Sequence, residues 1–337
     1  MTEPPRAIAL VKLSALGDVV HTTPVVEALA DAFPAARISW IVERREAALL
    51  RDHPHLAEVV TVDTRAWRKV RTPRAALELG RRLRALRNEL RARRFDVALD
   101  LQGLVKSGAV TSITGAPVRI GFAAGVCRER ANTMFTNRHV RPPASARHVV
   151  DQYLSLLRPL GVVPGRVVFR LPTDGLAEER VEEFFSASGL KPRDRVVVLN
   201  PGAGKAAKRW PVERFAELGA GLARDAGARV VVLWGPGEEA AARAIARAPG
   251  VVLAPPTDLG AVVAMVRRAS VVVAGDTGPL HVAAALGTAC VGLYGPTSAE
   301  RNGPYGRGQR TVSAPDGRMA SIEVAPVLAA VRESLGP

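Results

Sequence analysis

The chain has 337 residues, enough for two compact domains, and its 47% hydrophobic and 23% charged residues make an ordinary globular composition. Net charge is +15, and all but six of the 47 basic residues are arginine, an excess that a GC-rich genome would also produce. No stretch approaches the roughly 18 uncharged apolar residues of a membrane span, and Cys127 and Cys290 form neither a disulfide framework nor a metal-ligand spacing. Residues 7–11 are too short for a signal-peptide core, so the expected location is the cytoplasm.

The first predicted strand, 7–12, opens into LVKLSALGDVVHTTP, residues 10–24, where a small-residue turn sets Asp18 at the start of a helix predicted over 18–32. Asp18 reads either as a helix cap or as a carboxylate facing a substrate. Strands over 37–43 and 58–62 follow. Residues 65–94 then carry twelve Lys/Arg against Glu78 and Glu89, mostly on a helix predicted over 73–93. Such a segment suits an anionic surface, whether nucleic acid, phospholipid headgroups or a phosphorylated glycolipid, and equally reads as a solvated helix face. The aromatic platforms and recognition modules of nucleic-acid binders are missing, so no nucleic-acid partner is expected. A strand over 95–100 runs into DLQGLVKS, residues 100–107, which groups Asp100, Gln102 and Lys106 around Gly103 before a helix over 103–113. Polar groups at the carboxyl end of a strand are either ligand contacts or caps. A strand over 118–122, an irregular segment over 123–146 and a helix over 147–159 complete the first half.

The Pro/Gly-rich stretch 159–175 reads as a linker, and the alternation then resumes. Strands are predicted at 195–199, 229–234, 251–253, 270–274 and 289–293, with helices at 174–188, 211–226, 237–247, 258–268, 279–286 and 320–335. Two α/β halves follow from this pattern, each a parallel sheet covered on both faces with ligands at the carboxyl ends of its strands. VVVLNPGAGKAAKRWPV, residues 196–212, is not a Walker A loop: Ala206 follows Gly204-Lys205, and Leu199 stands where the first Gly is needed. What remains is a turn with Lys205, Lys208 and Arg209, suited to a diphosphate or simply solvated. VVVLWGPGEEA, residues 230–240, matches Gly-x-Gly-x-x-Ala, but the next strand ends Leu253-Ala254-Pro255 without an acid, so NAD is not expected.

The clearest stretch is SVVVAGDTGPLHVAAALGTACVGLYGP, residues 270–296. A strand ends at Gly275, and Asp276-Thr277-Gly278-Pro279 opens a helix carrying His281. Pro279 suits the first helical turn, and the positive end of a helix suits phosphate. Asp276 or Thr277 as an N-cap, and His281 as a core histidine, are the plainer readings. No Asp-x-Asp, His-Glu-x-x-His or Gly-x-Ser-x-Gly occurs, so metal-dependent sugar transfer, zinc hydrolysis and serine-esterase chemistry have no support.

VKLSALGDVVHTTPVVEAL, NPGAGKAAKRWPVERFAEL and GDTGPLHVAAALGTACVGLYGPTSAERNGPYG occur in that order. Together they resemble the bacterial lipopolysaccharide heptosyltransferases of glycosyltransferase family 9, over about residues 8–307. The resemblance implies a GT-B fold, two Rossmann-like domains with parallel sheets facing a central cleft. It implies an acceptor-binding domain over 1–165, a nucleotide-sugar-binding domain over 166–319, and a C-terminal helix in 320–337 packing back on the first domain. The implied reaction is an inverting transfer of heptose from ADP-heptose to the Kdo/heptose inner core of lipopolysaccharide, with no metal or other cofactor. The wording GDVVHTTP is closer to the enzymes that add the first heptose to Kdo-lipid A.

By the same resemblance Asp18 is the catalytic base and Lys208 serves the donor phosphates. The implied donor site comprises Asn200, Gly202, Lys205, Lys208, Trp234, Asp276, Thr277, Gly278, Pro279 and His281. Implied acceptor contacts are Ser14, Gly17, His21, Gln102, Lys106, Arg119 and Arg128. The 65–94 segment, with Trp67 among its basic residues, would rest peripherally on the inner membrane. A non-catalytic nucleotide-sugar-binding paralogue in a membrane-associated complex is the alternative, as is a family 9 transferase with another acceptor. Retention of Asp18, Lys208 and His281 together argues against the first of these.

Overall fold

The computed structural model describes residues 3–67, 72–225 and 227–336. The chain divides into two units, Met1–Arg170 and Leu171–Pro337, with the boundary inside the stretch read as a linker.

The first unit is built on six parallel strands: β1 (Ala7–Val11), β2 (Arg37–Glu43), β3 (Glu58–Val62), β4 (Val97–Asp100), β5 (Val118–Phe122) and β6 (Arg138–Val140). Their order is β3-β2-β1-β4-β5-β6. Ile8, Ala9, Leu10 and Val11 are all fully buried, which is why the central strands read as apolar runs rather than alternating ones. The strand order reverses between β1 and β4, the switch point at which doubly wound sheets bind ligands. There Val11 pairs with Asp100, so the residues just after β1 and β4 emerge side by side.

The helix expected over 18–32 is broken into Leu16–Val20 and Thr23–Ala32. Pro24 has no N–H to give to the Val20 carbonyl, and the Thr23 hydroxyl donates there instead at 3.0 Å. The Thr22 hydroxyl likewise donates to the Asp18 carbonyl at 2.8 Å. Two threonines thus close the first helix with its carbonyls satisfied. The basic helix, Pro73–Ala92, starts with Pro73 after Thr72, whose hydroxyl accepts from the Ala75 amide. Leu86 and Leu90 turn toward the core, while Arg74, Arg81, Arg82, Arg84 and Arg87 are exposed. Residues 68–71 of the basic segment lie outside the described residues.

The second unit repeats the plan with β7 (Val196–Asn200), β8 (Arg229–Val232), β9 (Val251–Leu253), β10 (Val271–Gly275), β11 (Ala289–Tyr294) and β12 (Arg310–Ser313). Their order is β12-β11-β10-β7-β8-β9, all parallel, with the switch point between β7 and β10. The C-terminal helix corrects an expectation. Val324–Leu335 belongs to the second unit, where it packs on the helix Val212–Asp225 and on β10, β11 and β12. Val327 and Val331, one turn apart, are fully buried there in one core with Leu218, Leu222 and Trp210. That apolar stripe is what holds the helix to this sheet.

Candidate active site

In the first unit, the chain leaving β1 places Lys12 under Asp18. Lys12 is 1% exposed, and its Nζ donates to the Leu101 carbonyl at 2.9 Å and the Tyr153 hydroxyl at 2.5 Å. It also stands 3.4 Å from Asp18 Oδ1 and over the Tyr153 ring. The Tyr153 hydroxyl in turn donates to Asp18 Oδ1 at 2.7 Å. The other oxygen, Oδ2, faces Arg128 Nη2 at 3.6 Å and accepts a long bond of 3.4 Å from the Ala15 amide. That second contact is the reach-back half of a capping box. Asp18 therefore caps its helix with one oxygen and is anchored by the other.

Burial by itself raises the Asp18 carboxyl. Lys12, Arg128, the Tyr153 hydroxyl and His21 outweigh it and hold the group well below the usual carboxylate range. Burial also acts on Lys12, pushing its ammonium down to about 8 against the attraction of Asp18. The pair is an ammonium and a carboxylate at neutral pH.

Asp100, at the end of β4, is buried and surrounded by donors. The Gln102 and Gly103 amides give to Oδ1 at 2.9 and 3.0 Å, and Ser107 Oγ and Asn132 Nδ2 give to Oδ2 at 2.9 and 2.6 Å. Burial raises this carboxyl, against those four bonds. It shapes the loop and leaves no oxygen open to a ligand. Gln102 Oε1 accepts from the Leu13 amide at 2.8 Å, tying this loop to the one that carries Asp18.

Several expected acceptor residues do other things. Lys106 donates to Thr64 Oγ1 at 3.2 Å and lies 3.8 Å from buried Glu43. Arg119 gives Nε to the Phe135 carbonyl and Nη1 to the Ala116 carbonyl, so its guanidinium staples the backbone beside β5. His21 is buried, edge-on to His148 at 5.4 Å. Ser14 and Gly17 lie half-buried in the Asp18 turn. Of the seven, Arg128 and His21 are those whose charge bears on Asp18, and Arg128 faces its Oδ2 at 3.6 Å.

The second unit builds its group at the end of β10. Asp276 Oδ2 accepts from Lys208 Nζ at 2.6 Å, and Oδ1 lies 3.0 Å from His281 Nε2. Asp276 is 9% and His281 4% exposed. Burial raises the Asp276 carboxyl, but His281 and Lys208 outweigh it and hold it well below the usual range. Gly275 makes the arrangement possible. A β-carbon there would lie 2.9 Å from the Lys208 carbonyl oxygen, so only glycine lets the 206–208 turn come this close. Trp210 fastens the same turn: its ring is buried against Phe215, and Nε1 donates to the Ile322 carbonyl at 2.9 Å.

Thr277 occupies the N-cap of the helix Gly278–Leu286, yet its side chain does not cap that helix. The Thr277 hydroxyl instead donates to the Gly275 carbonyl and accepts from Asn200 Nδ2 at 3.3 Å. Gly278 and Pro279 form the first turn, where proline has no amide to satisfy. A β-carbon at Gly202 would meet the Glu238 carboxylate, which rests against this turn. Glu238 Oε2 accepts from the Gly235 amide at 2.9 Å. Trp234 is half-buried and donates its indole N–H to the Ala254 carbonyl at 2.8 Å. Lys205 is exposed and holds its turn through the backbone. The structure thus joins Asn200 to Thr277 and Lys208 to Asp276 and His281, and leaves Lys205 outside that network among the described residues.

Lys12, Tyr153 and Glu238 were not anticipated as site residues. Lys12 had a signal, a charge directly after an apolar strand. Glu238 lay within the Gly-rich stretch that failed as a dinucleotide motif. Tyr153 had none, being 135 residues from its partner Asp18.

A family model described as Glycosyltransferase family 9 (heptosyltransferase) matches residues 83–328. The chain is 30% identical over 326 residues to lipopolysaccharide heptosyltransferase 1 of Escherichia coli K12, covering 95% of this chain and 98% of that protein. It is 31% identical over 317 residues to lipopolysaccharide heptosyltransferase 1 of Pseudomonas aeruginosa, covering 90% and 82%. Among solved structures, the E. coli heptosyltransferase WaaC with ADP superposes with a TM-score of 0.80 at 28% identity, over 97% of this chain and 99% of that one.

Proposed function

Since the chain belongs to glycosyltransferase family 9, and is a glycosyltransferase of GT-B fold acting in lipopolysaccharide biosynthesis, we propose that it transfers heptose from ADP-heptose to Kdo-lipid A. This is the first heptose of the inner core. The observation that carries the donor half is the Asp276 group. Asp276 fixes the Lys208 ammonium beside a helix start that its N-cap residue, Thr277, leaves uncapped, which suits a diphosphate. The relatives called lipopolysaccharide heptosyltransferase 1 support a heptose donor and a lipopolysaccharide acceptor.

In the proposed reaction Asp18 takes the proton from the acceptor hydroxyl. The freed oxygen pair forms the new bond at the anomeric carbon with inversion. The old carbon–oxygen bond breaks, and its pair leaves on ADP. Negative charge grows on the diphosphate, and Lys208 with the Gly278 and Leu280 amides of the first turn stabilises it without a metal. The lysine's three donors allow one to stay on Asp276 while others meet phosphate oxygens. Arg128, half-exposed beside Asp18, suits the anionic groups of the acceptor.

No described helix is long and apolar enough to cross a membrane. The exposed arginines of Pro73–Ala92 support a cytoplasmic protein that docks on the anionic leaflet holding its acceptor, each worth about 1 kcal/mol near such a surface.

The test is to incubate the protein with ADP-heptose and Kdo-lipid A and to follow ADP release and the mass of the lipid. Release of ADP with a one-heptose gain in lipid mass is expected. No release with any core acceptor, alongside turnover of another nucleotide sugar, overturns the donor assignment.

A further inference from the structure

We infer that Lys12 and Tyr153 are positioning residues for the base: they fix one oxygen of Asp18 and set how strongly the other draws a proton. The inference rests on reading Asp18 as that base. The geometry has a direction. The Lys12 ammonium donates to the Tyr153 oxygen at 2.5 Å, and the Tyr153 hydroxyl passes its own proton toward Asp18 Oδ1 at 2.7 Å. Lys12 is itself pinned by the Leu101 carbonyl, at the loop after β4. Oδ1 is thereby engaged by two side chains, and Oδ2, with its long contact from the Ala15 amide, is the oxygen turned toward Arg128, which is 46% exposed. The substrate hydroxyl must meet Oδ2.

A lysine that is 1% exposed is an unusual choice for a merely structural role. Its burial is strongly unfavourable unless the ammonium is paired and hydrogen-bonded, as it is here by Asp18, Tyr153 and the Leu101 carbonyl. The charge it meets at Asp18 is a carboxylate whose ordinary basicity would be raised by its surroundings. The groups facing Asp18 come from four places. Lys12 lies at the end of β1, Arg128 in the loop after β5, Tyr153 on the helix Val149–Ser155, and His21 one turn along Asp18's own helix, with His148 behind it. Asp100 at the end of β4 faces Lys12 from the other side. Among the described residues Lys12 and Tyr153 hold Oδ1, and so fix the carboxylate plane while Arg128 yields to an incoming anion. Lys12 also keeps Asp18 ionised and ready. Loss of its charge removes the largest attraction that offsets burial, so the midpoint of the Asp18 carboxyl rises.

The experiment uses the full-length protein with ¹³C-labelled aspartate carboxyls, the Asp18 signal being assigned by its loss in Asp18→Asn. Wild-type Asp18 should stay ionised to below the ordinary aspartate value. Lys12→Met should raise its midpoint by about 1–3 pH units, the usual effect of one close opposite charge. Tyr153→Phe should raise it by less, and Lys12→Arg should restore the low value. In the transfer assay, Lys12→Met should lower kcat at least about tenfold with an unchanged donor KM. It should also gain an acid limb in its pH profile at the new midpoint. A midpoint that stays at the wild-type value in both Lys12→Met and Tyr153→Phe overturns the inference, even where melting temperature falls. If Lys12→Met does not fold, Tyr153→Phe decides alone. If the wild type transfers no sugar, the proposed function fails, and the Asp18 midpoints still judge this inference separately.

Discussion

Replacing Lys208 by methionine keeps the length of the side chain and removes its charge. Asp276 then loses a 2.6 Å charge-assisted bond and retains His281. The pair is not a surface one, since Lys208 is 23% and Asp276 9% exposed, so solvent does not replace what is lost. A hydrogen bond to a buried charge contributes about 1.5–3 kcal/mol. The larger effect is on the reaction. Losing one donor to charge that develops in the transition state raises the barrier by about 3 kcal/mol, roughly a hundredfold or more in rate. Steady-state kinetics with ADP-heptose and Kdo-lipid A should show this mainly in kcat. Thermal unfolding across pH adds a second readout. Folded Asp276 lies below its unfolded value, so the pair's stabilisation is complete above about pH 4 and is lost as pH falls further. The melting difference between wild type and Lys208→Met should therefore be largest near neutrality and close in acid. A variant with wild-type kcat and only a raised KM would show that Lys208 binds ground and transition states alike, which refutes the role assigned to it.

Gly275→Ala drives a β-carbon against the Lys208 carbonyl; calorimetry should record a loss of about 1–3 kcal/mol, and kcat should fall with it as Lys208 is displaced. Asp100→Asn turns an amide N–H₂ toward a ring of donors, so denaturant titration should show about 1–3 kcal/mol of lost stability at pH 7. Changing Arg74, Arg81, Arg84 and Arg87 together to Gln should weaken binding to anionic vesicles by about 4 kcal/mol in sedimentation assays. ADP affinity should be unchanged in that variant, and the vesicle effect should shrink at high salt.

The doubly wound plan was legible because its central strands are buried on both faces and read as unbroken apolar runs, such as AIALV and VVVAG. The edges were not. β6 is RHV and β12 is RTVS, too short and too polar to stand out from loop, and pairing with a neighbour is what makes them strands. The C-terminal helix was readable as a helix, but Val327 and Val331 say only that it must bury a stripe, not against which sheet. At the site, strand ends and helix starts brought Asp18, Lys208, Asp276 and His281 into view, but caps, a solvated turn and a core histidine read equally well, and the family resemblance decided their roles. Whether a polar side chain near them turns to a ligand or to its own backbone is a matter of distances. Gln102 and Arg119 have the composition of ligand contacts, yet they hold the Leu13 amide and the Ala116 and Phe135 carbonyls. Tyr153 carries no local signature at all, and only the fold brings it to Asp18.

The central claim is that Asp18 removes the acceptor proton, and Asp18→Asn tests it most directly. The substitution keeps the shape and removes the base, whose contribution is about 10²–10⁴-fold. Single-turnover transfer from ADP-heptose to Kdo-lipid A should fall by at least about a hundredfold while ADP binding stays at the wild-type level. Transfer within a few-fold of wild type would contradict the account.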